Sequence, residues 1–241
     1  MRQAADNDLF AGVDRLCDAA MQQTNADGVV LAVLTRSRRV RELVYASDPI
    51  AKQLDELQYT IGEGPCFDAY VDDDPQFYPE LSDVAQTSRW PTFACEATRL
   101  GAQALFAFPV PNGARPVGVL ELYRRNTGGL TDPEHSSAKT CATAIAHQLE
   151  SNWQDHASRF QTPEEAIDAT AIASASNQEP ADPFTRTQIH VAGGMVAVQL
   201  GVQAGEGVDR LRAFAYACGR PVSSVAADVI ARRLTLRDHA G

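Results

Sequence analysis

Gln103-Ala104-Leu105-Phe106-Ala107-Phe108-Pro109-Val110 and Val117-Gly118-Val119-Leu120-Glu121-Leu122-Tyr123-Arg124 are two apolar, aromatic and β-branched runs. Such runs pack well on a pleated surface, so each reads as a strand. Asn112-Gly113 lies between them and supplies residues that tolerate positive φ in a turn. Upstream, Val29 to Thr35 is a third strand bounded by Asp27-Gly28, and Val40 to Ala46 is a fourth. The basic turn Arg36-Ser37-Arg38-Arg39 joins the latter two as a hairpin.

Helical spacing surrounds these pairs. Residues 9–25 place Leu9, Val13, Leu16 and Ala20 on one face. Ser47-Asp48-Pro49 is a helix start reaching about Leu57, because a proline's φ suits the first helical turn. Thr131-Asp132-Pro133-Glu134 reads as a capping box opening a helix to about Trp153. The order helix, hairpin, helix, hairpin, helix predicts an α+β fold, an antiparallel sheet flanked by helices. Residues 154–182 are poor in apolar anchors and read as a connector with one short helix opened at Thr162. Three helices follow: one opened by Asp182-Pro183 and ended by Gly201, one from about Gly205 to Cys218, and one from Val222 to about Leu236.

The chain has 241 residues and a formal net charge of -10, which taken whole argues against a polyanionic partner. The charge is unevenly spread. Residues 1–150 carry 13 Arg/Lys and 21 Asp/Glu (-8), residues 151–183 carry 1 and 6 (-5), and residues 184–241 carry 7 and 4 (+3). All seven basic residues of the last segment are arginines, whose planar forks suit phosphates and bases. No stretch approaches the roughly 20 apolar residues of a membrane span, so no membrane partner is expected. The N-terminus has no apolar signal region, which predicts a cytoplasmic protein. The five cysteines form no C-x-x-C pair and the histidines show no metal spacing, so no metal site is expected. Phosphate-binding glycine loops and a G-x-S-x-G elbow are missing, and the chain does not read as an enzyme.

Two segments add a resemblance. Gln58-Tyr59-Thr60-Ile61-Gly62-Glu63-Gly64-Pro65-Cys66-Phe67-Asp68-Ala69, then Arg89-Trp90-Pro91-Thr92-Phe93, then the two strands quoted first, resemble a GAF domain of the actinobacterial kind carrying G-E-G-P-C. The resemblance covers about residues 5–155 and implies a sensor with a pocket on one face of the sheet. Candidate lining residues are Tyr59, Cys66, Phe67, Tyr70, Trp90, Phe93, Phe106 and Phe108. Cys66 follows Gly64-Pro65 near a helix start, where a dipole favours thiolate, so it is also a candidate redox residue. No cofactor is called for. The expected effector is an unidentified small molecule.

Ile189-His190-Val191-Ala192-Gly193-Gly194-Met195-Val196, then Arg210-Leu211-Arg212-Ala213, Arg220-Pro221-Val222 and Val225-Ala226-Ala227-Asp228 resemble an ANTAR domain over residues 183–238, leaving 156–182 as linker. That family binds paired stem-loops in mRNA leaders and promotes transcription antitermination. The resemblance implies an RNA partner, a homodimer, and RNA contacts at Ala192, Gly193, Gly194, Arg210, Arg212, Arg220, Arg232 and Arg233, with Arg212 foremost. The sequence departs from the family at Gly193, often a lysine, and at Gly205 and Gly207, where glutamate and alanine are commoner. Each helical glycine costs about 0.5–1 kcal/mol. The dimer reading rests on helices near Leu9 and Trp153 packing across a two-fold axis. The alternative is a ligand-binding or dimerisation module whose C-terminal bundle binds a protein and not RNA. A GAF-like enzyme such as a sulfoxide reductase would need clustered cysteines, and only Cys66 and Cys95 lie in the relevant region.

Overall fold

The stretch from Gln103 to Arg124 forms β4 (Ala104–Val110) and β5 (Gly118–Arg124) of the computed structural model, paired antiparallel with Phe106 opposite Leu122. The structure describes residues 8–34, 41–158, 186–220 and 222–236. The turn at Arg36–Arg39, the linker helix at Thr162, the Asp182-Pro183 helix start and Arg237 lie outside them.

After a short 3₁₀ turn (Asp8–Phe10), the first unit runs α1 (Val13–Gln23), β1 (Gly28–Leu34), β2 (Arg41–Ala46), α2 (Pro49–Ile61), α3 (Pro65–Asp72), β3 (Gln76–Tyr78), α4 (Val84–Thr87), α5 (Pro91–Leu100), β4, β5 and α6 (Asp132–Ala157). The sheet order is β2-β1-β5-β4-β3. The expected four strands are present with ends moved by a residue or so, and β3 is added at the edge. The simple alternation of helix and hairpin therefore needs correcting, because β3, α4 and α5 stand between α3 and β4. Three residues are too few to show a period, and Trp90 at the start of α5 makes no side-chain cap that a sequence could announce.

Both faces of the sheet are covered, which is why β1, β4 and β5 are nearly continuous apolar runs. Ala104, Phe106, Phe108 and Val110 pack with Val29, Leu31, Leu120 and Leu122 against Val13, Cys17, Ala20, Ala138, Cys141, Ala142 and Ile145 of α1 and α6. Burial and the neighbouring Asp18 carboxylate push the Cys17 thiol pKa well up, so it is an inert core group. Leu105, Ala107, Val119, Glu121 and Tyr123 alternate to the opposite face, where α3 packs on β4 and β5.

The capping box forms as expected. The Thr131 amide donates to Glu134 Oε2 at 2.8 Å, and Thr131 Oγ1 accepts from the Glu134 amide. Tertiary structure adds a second duty: Glu134 Oε1 accepts from Arg124 of β5 (2.8 Å) and from Asn25 (3.0 Å). The Thr131 amide, with Asn25 and Arg124, holds this carboxyl at about 2. Glu134→Gln is expected to cost about 1–2 kcal/mol at neutral pH. The folded pKa lies below the unfolded value of about 4.3, so this stabilisation is present above that value and fades as pH falls toward 2. Urea midpoints of wild type and variant should therefore differ at pH 7 and converge at the acid end; a pH-independent gap would refute the assignment.

The second unit contains α7 (Arg186–Leu200), α8 (Ala204–Ala217) and α9 (Val222–Ile230) around Ile189, Ala192, Val196, Leu211, Ala215, Val222, Val225, Ala226 and Val229. Gly201 and Gly219 take positive φ at the ends of α7 and α8. The third helix is shorter than its expected end near Leu236. The Arg233 amide donates to the Asp228 carbonyl (2.8 Å) and the Arg232 amide to that of Val229 (3.0 Å), with Arg232 at φ 55. This is a Schellman termination in which arginine fills the position glycine usually takes, at a cost of about 1–2 kcal/mol. No glycine marks the stop, so the helical spacing of the sequence runs past it. Leu236 is buried, and its amide donates to Gln199 Oε1 of α7 at 3.1 Å.

Candidate functional site

On the α3 face of the sheet, β5 places one carboxylate, Glu121, among apolar neighbours, with Ala107 and Val30 as its strand partners. It is buried. Gln58 from α2, also buried, donates from Nε2 to both carboxylate oxygens at 3.0 and 2.8 Å. Gln58 Oε1 accepts the Cys66 amide of α3 at 2.9 Å. One amide side chain thus links the sheet to the start of α3. Gly64 must be glycine here for two reasons: its φ is 137°, and a Cβ would stand 2.7 Å from Gln58 Oε1. G-E-G-P-C is in this sense the sequence trace of a chain that passes close over Gln58.

Beside it, Asp68 of α3 accepts from the Trp90 indole (3.1 Å) and pairs with Arg89 (3.3 Å). Trp90 is buried edge-on against Tyr78 and Phe93, with centroids 4.6 and 5.3 Å away. Tyr70, also of α3, donates from its hydroxyl to the Leu34 carbonyl at 3.2 Å. These aromatic residues each carry a polar anchor or a ring partner and are packed into the interior.

The structure separates the predicted pocket residues. Cys66, Phe67 and Tyr70 on α3, with Trp90 and Phe93, lie on the α3 side. Phe106 and Phe108 lie on the α1/α6 face, where Phe108 also borders a cavity of about 230 Å³ with Pro109, Lys139 and Thr143. Tyr59 is fully buried and is not grouped with the other pocket candidates. Cys66 is fully buried, whereas Cys95 is exposed. Gln58, Glu121, Asp68 and Arg89 were not singled out in the sequence. A lone carboxylate within V-G-V-L-E-L-Y was the available signal, because a charge in a doubly covered strand requires a partner.

In the second unit, Ala192 is buried in the core. Gly193 faces α8: a Cβ there would stand 2.3 Å from Val208 Cγ2 and 3.1 Å from the Val208 backbone. Gly207 faces back, its Cβ position 2.2 Å from the Gly193 carbonyl oxygen. Gly194 points to open space. Arg212 pairs with Asp209 at 3.3 Å and its side chain is only 14% exposed. Arg210 pairs with Glu206 at 3.2 Å. Arg220 and Arg233 converge on Asp228, and Arg232 is exposed next to them.

Among the described residues no His, Cys, Asp and Glu group is arranged to hold a metal, and no helix is long and apolar enough to cross a membrane. The sequence pattern of the GAF domain matches residues 11–150. The chain belongs to the GAF family. The match runs from just before α1 into α6, covering all five strands, and stops short of the C-terminal helices. Solved structures similar to this GAF domain include the GAF domain from a phosphoenolpyruvate-protein phosphotransferase of Coxiella burnetii (16% identity, 64% of this chain and 89% of that one, TM-score 0.49). Another is the corresponding GAF domain from Acinetobacter (12%, 66% and 89%, 0.46). A type II free methionine-R-sulfoxide reductase from Thermoplasma acidophilum is also similar (13%, 57% and 89%, 0.41). No curated protein matches the chain.

Proposed function

We propose that this chain is a signal-responsive RNA-binding regulator: the GAF domain receives a small-molecule effector, and the C-terminal unit binds paired stem-loops in nascent mRNA to promote antitermination. The observation that carries the reading is the joining of an acidic GAF sensor to a separate three-helix unit whose charged residues are mostly arginines. The net negative charge of residues 1–150 disfavours RNA, and the net positive charge of residues 184–241 favours it. The ANTAR-like sequence of the three helices supports the same output. Two stem-loops need two readers at fixed spacing, which a two-fold dimer supplies. Leu9, Phe10, Leu149 and Trp153 line an apolar groove of about 420 Å³ on the GAF domain, and this supports homodimerisation near the ends of α1 and α6. We read the chain as non-catalytic: Cys66 is buried, Cys95 is exposed, and both are free thiols.

Gel shifts with a paired hexaloop RNA at low salt test the proposal. A folded dimer, with a sedimentation mass twice that of the single chain, should shift the RNA, with affinity falling steeply as salt rises. A folded dimer that leaves the RNA unshifted at low salt overturns the reading.

A second reading has one observation in its favour. Val191 and Val198 of α7 are 52% and 85% exposed, and they flank the open Gly194 on the same side of the helix. An apolar stripe of this kind suits a protein surface better than a phosphate backbone. Under that reading Val198→Lys would abolish an association while arginine substitutions would leave it intact.

A further inference from the structure

We propose that Arg220 and Arg233, which converge on Asp228, form with the exposed Arg232 beside Arg233 in the chain the phosphate-contacting cradle of the C-terminal unit, with the phosphodiester backbone of RNA as ligand. The inference deepens the RNA reading and rests on it.

Four observations combine. Asp228 Oδ2 accepts from Arg220 Nη2 at 2.6 Å, and Oδ1 accepts from Arg233 Nε at 2.9 Å. One carboxylate thereby orients two guanidinium groups. Arg220 Nη2 also donates to Ser224 Oγ at 2.8 Å, which fixes that fork against α9. Arg233 is held through Nε alone and its side chain is 65% exposed, so its Nη edge faces solvent with donors to offer. Arg232, the left-handed residue that terminates α9, directly precedes Arg233 and is exposed as well.

Three cations and one anion leave the cluster with a surplus of positive charge. The two arginine hydrogen bonds hold the Asp228 carboxyl below the usual carboxylate range, so it stays ionised as the orienting group. Pre-oriented guanidinium forks recognise phosphate oxygens in pairs, and orientation before binding removes part of the ordering cost. The arginines of α8 lack this arrangement: Arg210 and Arg212 each pair with an acidic residue of their own helix, and Arg212 is mostly covered. The C-terminal turn of α9, and not the middle of α8, is therefore the phosphate-reading edge.

The test uses the full-length dimer and a paired hexaloop RNA, with affinity measured across a salt series. Arg232→Gln/Arg233→Gln is expected to weaken binding about tenfold at low salt and to reduce the salt slope by about 1.5, the loss of two phosphate contacts. Arg232→Lys/Arg233→Lys, which keeps the charge, should recover most of the slope. Arg99→Gln/Arg115→Gln removes the same charge from the GAF domain and should leave affinity and slope unchanged. Thermal melts establish that each variant is folded. If wild type binds and the Arg232/Arg233 glutamine variant binds equally with an unchanged slope, the cradle is overturned and the RNA reading survives. A wild type that fails to bind overturns both.

Discussion

Gly193→Lys is expected to unfold the C-terminal helices, not to strengthen their hold on RNA. A lysine at this position is common in the family that the segment resembles, so the substitution looks like a restoration. The packing forbids it. Gly193 and Gly207 let α7 and α8 approach so closely that a Cβ at Gly193 would stand 2.3 Å from Val208 Cγ2, and one at Gly207 would stand 2.2 Å from the Gly193 carbonyl. Neither neighbour is the free end of a flexible side chain. Relief requires the helices to separate, which opens the core around Ala192 and Leu211. The cost should reach about 3 kcal/mol, a large share of what so small a unit can spare. Gly207→Ala should behave alike, although alanine gains about 1 kcal/mol of helix propensity. Gly194 is the control. A methyl there meets nothing within 4 Å, so Gly194→Ala should stabilise by up to about 1 kcal/mol. Opposite signs at adjacent glycines, read from the helical signal in thermal melts, are the signature. Equal effects at Gly193 and Gly194 would show that the close crossing is not formed.

Gln58→Ala is the second large effect, expected to cost the GAF domain about 3 kcal/mol. It strips two hydrogen bonds from the buried Glu121 carboxyl group and leaves the first amide of α3 without its acceptor. Each buried polar group left without its partner costs about 1–3 kcal/mol. Urea denaturation followed by tryptophan fluorescence reads it well, because Trp90 bonds to α3 through Asp68 and reports on that face. An unaltered midpoint would mean that Gln58 does not connect sheet and helix energetically.

Both predictions concern residues whose chemistry is plain in the sequence and whose partners are not. The strands at 104–110 and 118–124 were legible because apolar and β-branched runs bounded by Asn-Gly have few other uses. The Thr131–Glu134 box was legible because its partners are three residues apart, and local geometry suffices to form it. Its further bonds to Arg124 and Asn25 were not, since nothing in the spacing of residues 25, 124 and 134 states that they meet. The same holds for the pocket candidates. Most of the aromatic candidates are buried, Phe67 only in part, but which face each one takes depends on strand register and on the order β2-β1-β5-β4-β3, and these separate Phe106 and Phe108 from Trp90 and Tyr70.

An antiparallel sheet flanked by helices, an acidic body and an arginine-bearing helical tail are written in periodicity, caps and charge, which are local properties carried along the chain. Which glycines are obligatory, which arginines converge on Asp228 and which carboxylate lies under α3 emerge from packing alone. Those outcomes depend on distances between residues far apart in sequence, set by how helices and strands close on one another and not by any residue's own preference.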